Sequence, residues 1–161
     1  MVILVMGALA LLQDLGDNPE YKGWAEFKAG STVTHKMVLN GKPQEGIQKR
    51  TLKSVKDDQV VVDVLNTIQA MGAPRLGEQE IPAKIAGVLK PEKEGEEEIE
   101  AGGKKLKCRW GEITKKAPNG KTEVVRYWLH DDVPGKMVQT KVTYDGGVTA
   151  TLTASEWKKT D

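Results

Sequence analysis

Reactive side chains are scarce in this sequence. Its 161 residues contain two histidines and one cysteine, so any histidine relay, metal centre or thiol chemistry must be assembled from His35, His130 and Cys108. The densest grouping is His130-Asp131-Asp132, an imidazole and two carboxylates of the kind that ligate a divalent cation. The same residues precede Val133-Pro134-Gly135, where short polar side chains hydrogen-bond the backbone and fix a corner. The turn role is the better fit, and no metal site is assigned. His35 keeps step with Val33, Met37 and Leu39, which places it on the apolar face of a strand rather than in a ligand set. Cys108 has Leu106 and Trp110 at spacing two, with Lys107 and Arg109 between, so it reads as a core thiol on a half-buried strand. There is no Gly-x-Ser-x-Gly elbow. Gly102-Gly103-Lys104-Lys105 lies between two strands and lacks the following helix that would hold a phosphate. No catalytic residue is assigned, and no cofactor is expected. The remaining candidates are Trp110 and Trp128, one on each strand of a predicted hairpin. On one face they would line a concave wall able to hold an apolar small molecule or lipid; otherwise they fill the core.

The elements that position these residues are strands. From Ser31 onward apolar and polar residues alternate between turn signals. Val33 to Leu39 is followed by Asn40-Gly41-Lys42-Pro43. A strand rich in Lys, Arg and Gln runs from about Gly46 to Val55, Asp57-Asp58 closes that hairpin, and Val60 to Val64 continues the pattern. The basic stretch Gln48 to Lys53 has no interleaved aromatics, which argues against nucleic acid. It reads as a solvated strand. Between Met71 and Glu98 prolines and glycines loosen the pattern, predicting a loop with one or two edge strands. Consecutive carboxylates from Glu92 to Glu100 point to opposite faces of a strand and cannot converge on one ion. Strands then follow at Glu97 to Ala101, Lys105 to Thr114, Glu123 to His130, Lys136 to Tyr144 and Val148 to Trp157. In the last of these Val148, Ala150, Leu152 and Ala154 alternate with Thr149, Thr151, Thr153 and Ser155, predicting one dry and one wet face. A short N-terminal helix is expected over Asn18 to Lys28, with Asn18 as cap and Pro19 at its first position, weakened by Gly23. The expected fold is all-β or mainly β, an antiparallel meander of seven to nine strands curled into a half-barrel or open barrel.

Composition narrows the function classes. Lys and Arg number 24 against 23 Asp and Glu, a formal charge of +1, so no field favours nucleic acid or a membrane surface. Residues Val2 to Leu12 are apolar or Gly without a break, the length of a signal-peptide core and short of the roughly 18 to 20 residues that span a bilayer. Ala8-Leu9-Ala10 offers small residues for cleavage, although no Lys or Arg precedes the run. The expected organisation is a signal-like segment at 1–13 and a single β domain at 14–161, periplasmic or secreted; the alternative is a buried N-terminal strand or helix.

The run Ala101-Gly102-Gly103-Lys104-Lys105-Leu106-Lys107-Cys108, then Tyr127-Trp128-Leu129 and Asp132-Val133-Pro134-Gly135-Lys136-Met137-Val138, resembles a group of uncharacterised exported bacterial proteins of the planctomycete type. Their architecture is similar to the lipoprotein-carrier superfamily, whose half-barrel holds acyl chains. The resemblance implies a fold and an envelope location and assigns no functional residue. The expected function is a non-enzymatic binding or structural module of the cell envelope. The alternatives are a periplasmic lipid or lipoprotein carrier and, third, a hydrolase-like enzyme.

Overall fold

The computed structural model describes residues 15–116 and 118–161; the signal-like run Val2 to Leu12 and its proposed cleavage region lie outside the described residues. In chain order the strands are β1 (Leu15–Asp17), β2 (Thr32–Leu39), β3 (Lys42–Pro43), β4 (Gln48–Val55), β5 (Gln59–Asn66), β6 (Arg75–Pro82), β7 (Lys84–Ala86), β8 (Lys93–Ala101), β9 (Lys104–Lys116), β10 (Thr122–Leu129), β11 (Met137–Tyr144) and β12 (Thr149–Lys158). One short helix, α1 (Pro19–Ala25), and a 3-10 turn at Gln69–Met71 complete the described elements.

The main sheet is antiparallel throughout and runs β6-β5-β4-β2-β12-β11-β10-β9-β8, with β3 added beside β2; β1 and β7 pair separately. Two meanders, each built from hairpins between successive long strands, meet where β12 returns beside β2. The path therefore ends on β6 and β8, the two strands that flank β7 in sequence. Nine strands on an alternating path leave both ends pointing the same way, so antiparallel pairing cannot close the sheet into a barrel. Charge keeps these edges apart as well. β6 carries Glu78 and Glu80, and β8 carries Glu94, Glu96, Glu97, Glu98 and Glu100, which discourages edge-to-edge pairing. The sheet is thus mainly β, antiparallel and open, as the alternation predicts.

The stretch from Met71 to Glu98 is more regular than its prolines and glycines suggest. It holds the eight-residue β6, the short β7 and the start of β8. Edge strands tolerate proline and charge because one row of their backbone groups needs no partner, and this is why composition understates them.

Helix α1 begins as predicted and ends earlier, at Ala25. Asn18 Oδ1 accepts from the Glu20 amide at 3.0 Å, while its Nδ2 donates to the Pro82 carbonyl at 2.8 Å, so one side chain both caps the helix and ties it to the end of β6. Gly23 is needed by packing: a Cβ there would lie 2.8 Å from the Gly135 carbonyl oxygen. Trp24, on the same helix, is buried. It joins Val33, Leu52 and Val62 from the first meander and Leu106, Cys108, Trp128 and Val138 from the second in one contiguous apolar cluster. Each such side chain contributes roughly 1.5–3 kcal/mol by leaving water.

Three irregularities interrupt the ladders, the first an extra residue in β4 between Leu52 and Ser54. An extra residue falls in β12 between Ala154 and Glu156, and another in β11 opposite the Trp128–Leu129 step. The dry and wet rows predicted for the last strand are not separated. Leu152 and Thr153 are both half-buried, Ala154 is buried, and Val148 lies exposed before the strand begins. The bulge after Ala154 and the curl of neighbouring strands cover both rows in part.

Candidate functional site

The hairpin register brings the two candidate tryptophans together. Trp128 on β10 lies directly opposite Trp110 on β9, so both indoles rise from one face. Gly95 on β8 is opposite Trp110 on its other side. A Cβ at Gly95 would sit 2.9 Å from Trp110 Nε1, so the indole lies directly over the bare backbone of the edge strand. Trp128 is 5% exposed and belongs to the core, while Trp110 packs against that core and stays half-buried. The Trp128 Nε1–H donates to Glu97 Oε2 at 2.9 Å.

Arg126, two residues before Trp128 on β10, shares its face. The guanidinium carbon stands 3.8 Å from the Trp110 ring centroid and 5.3 Å from that of Trp128. A cation over an indole face gains about 0.5–2 kcal/mol, more as water is excluded, and the stacking fixes the plane of the guanidinium. Its Nε is buried without a hydrogen-bond partner, and among the described residues the only carboxylate within ion-pair reach is Glu97, at 4.0 Å. Across the β10–β11 pairing Arg126 faces Lys141, and Trp128 faces Gln139. A cavity of about 330 Å³ opens above this group, lined in part by Glu97, Glu112, Arg126, Gln139, Lys141 and Thr143. The indoles form the bed on which Arg126 is held. Trp110 has Gly95 against it and Arg126 over its ring, and the open lining mixes the apolar Ile99, Val124 and Trp128 with charged, amide and hydroxyl groups where an apolar wall was expected.

The other candidates fall elsewhere. His130 Nδ1 accepts from the Asp132 amide at 3.1 Å, and the His130 amide donates to the Lys136 carbonyl at 2.9 Å. Asp131 is paired with Arg109 at 3.1 Å and Lys136 at 3.3 Å, and Asp132 with Lys159 at 2.6 Å. Lys136 and Lys159 hold these two carboxyls below their usual range, in each case mainly through the direct hydrogen bond. The triplet fixes a corner and bridges it to the C-terminal strand. Among the described residues no three histidine, cysteine or acidic side chains converge as a metal site. Cys108 is fully buried, its Sγ 3.5 Å from the Leu106 carbonyl oxygen, and burial pushes its thiol pKa up.

His35 lies in the sheet interior at 4% exposure. Its Nε2 stands 3.0 Å from the Met137 carbonyl oxygen, a contact that requires an Nε2–H donor and leaves Nδ1 a buried acceptor without a partner. Desolvation lowers its pKa. The basic strand β4 is less free than its composition implies. Arg50 pairs with Glu20 of α1 at 2.5 Å and donates to Gln79 of β6 at 2.9 Å, with its guanidinium 5.3 Å from the Trp24 centroid. The acidic edge does behave as a solvated strand, with Glu96 and Glu98 paired to Lys107 and Lys105.

Sequence reasoning on the tryptophans missed Arg126, Glu97, Gln139 and Lys141. Arg126 was findable, since spacing two on a strand places it beside Trp128; the others depend on cross-strand register. No protein-family model matches this chain, and no curated protein matches it.

Proposed function

We propose that this chain is a non-enzymatic binding module exported to the cell envelope, periplasmic or secreted, that holds a ligand in the cavity above Arg126. The observation that carries this reading is a guanidinium held over two indoles, only loosely paired with Glu97, lining an open cavity of about 330 Å³. A guanidinium held over two indoles, whose one carboxylate partner among the described residues stands at the 4.0 Å limit of an ion pair, has donor capacity left for an acceptor from outside. The apolar run Val2 to Leu12 supports export. A lipid or lipoprotein carrier would need mainly apolar walls, and here Ile99, Val124 and Trp128 are outnumbered by charged and polar groups. A hydrolase would need a nucleophile beside a base; Cys108 is enclosed in the core and His130 is engaged in its turn.

Native mass spectrometry of the protein purified from its own host envelope tests the proposal. The expected result is a small-molecule adduct retained under gentle desolvation, lost on harsh activation and depleted in Lys141→Ala. A bare mass under gentle conditions would count against a binding role. N-terminal sequencing of the same material is expected to show a start between Leu11 and Gln13, and an intact Met1 would remove the case for export by cleavage.

A further inference from the structure

The chemical class of the ligand follows from which charges on this face are already engaged, and it rests on the reading that the cavity is a binding site. Both carboxylates of the lining have partners: Glu97 accepts the Trp128 indole N–H at 2.9 Å, and Glu112 is paired with Lys93 at 3.1 Å. The two cations are less engaged: Arg126 has only the long 4.0 Å pairing with Glu97, and Lys141 pairs with no carboxylate among the described residues. Arg126 lies directly opposite Glu112 in the β9–β10 register, yet Glu112 is held by Lys93 and Glu97 stays 4.0 Å from the guanidinium. Lys141, opposite Arg126 on β11, is exposed and has no carboxylate within ion-pair distance among the described residues. Gln139 and Thr143 flank Lys141 at spacing two and line the same cavity.

We infer that the cavity binds an oxyanion, a carboxylate or phosphate group of a hydroxyl-rich ligand, between Arg126 and Lys141. A guanidinium presents its donors in a planar fork that matches two oxygens of such a group. Stacking on Trp110 fixes the plane of that fork before the ligand arrives, so little side-chain freedom is lost on binding. Lys141 adds a mobile point charge across the strand pair, while Gln139 and Thr143 offer amide and hydroxyl groups to the rest of the ligand. An uncharged sugar laid on an indole is the competing occupant. It is disfavoured because Trp110 is covered by the Gly95 backbone and by Arg126, and because Trp128 is buried.

The test follows the Trp128 indole N–H and the Arg126 side chain by NMR in the full-length protein, titrated with a uronate trisaccharide, inorganic phosphate or an uncharged trisaccharide. The expected result is saturable shifts with an oxyanion probe, weakened about tenfold or more by Arg126→Lys, which keeps the charge and removes the fork. Lys141→Ala, an exposed change that leaves the core intact, is expected to weaken them similarly. Tighter binding of the uronate assigns the oxyanion to an acidic glycan, and tighter binding of phosphate assigns it to a phosphate-bearing ligand; either supports the inference. Equal binding of the uncharged trisaccharide overturns the oxyanion inference and leaves the binding face standing. No saturable shift with any probe, together with a bare native mass, overturns both.

Discussion

Acidification acts on this fold through His35. The neutral ring donates through Nε2 to the Met137 carbonyl at 3.0 Å, and Nδ1 is buried with no acceptor facing it. Protonation places a second donor and a positive charge there. Ala154 and Gln48 are its register neighbours on β12 and β4, no carboxylate among the described residues compensates the charge, and nearby Arg50 opposes it. Burial therefore lowers the folded pKa from 6.5, whereas the unfolded chain keeps the ordinary value. The unfolded state then binds more protons below pH 6.5, so the stability due to neutral His35 is complete above that pH. It is lost as pH falls toward the folded pKa, at a slope of up to about 1.4 kcal/mol per pH unit.

Urea midpoints measured from pH 7.5 to 4.5 for the wild type and His35→Gln check this. The glutamine amide keeps a donor near the Met137 carbonyl, and the change is expected to cost about 1 kcal/mol at pH 7.5. The wild type should lose its advantage below pH 6.5, because carboxylate titration is common to both proteins and cancels in the difference. Parallel profiles, or an NMR titration midpoint for His35 at or above 6.5, would refute the reasoning.

Three further outcomes are expected. Gly135→Ala imposes a side chain on a backbone at φ +76° and sets its Cβ 2.6 Å from Trp24 Cε2, so urea unfolding should show a loss of about 2–4 kcal/mol; an unchanged midpoint would mean that α1 and the corner can separate freely. Trp128→Phe removes the Glu97 hydrogen bond and some indole volume, and because that carboxylate is half-exposed the loss should be only about 1–2 kcal/mol, with a larger value pointing to collapse of the Arg126 stack. Cys108, enclosed and with its thiol pKa raised by burial, should react with a disulfide reagent only after denaturation; rapid labelling of the native protein would contradict a core thiol.

Sequence alone determined the local elements. Alternation marked β2, β5 and the four strands from β9 to β12, turn residues marked only the last part of β8, Asn18-Pro19 marked the start of α1, and the Val133-Pro134-Gly135 corner already indicated a structural role for His130 and its aspartates. These features depend on period-two patterning and on turn chemistry within a few residues, which a linear reading captures. Only the tertiary structure decided that β12 returns beside β2, that β6 and β8 become the two acidic edges, and that Trp110 and Trp128 face each other across one rung. It also decided that Arg126 lies on their indoles with Glu97 and Lys141 beside it, since these four strands are joined by register. A slip of one residue would turn each of these side chains to the opposite face. The register is set by bulges and by packing across the whole core, so the candidate site exists only once the sheet has formed.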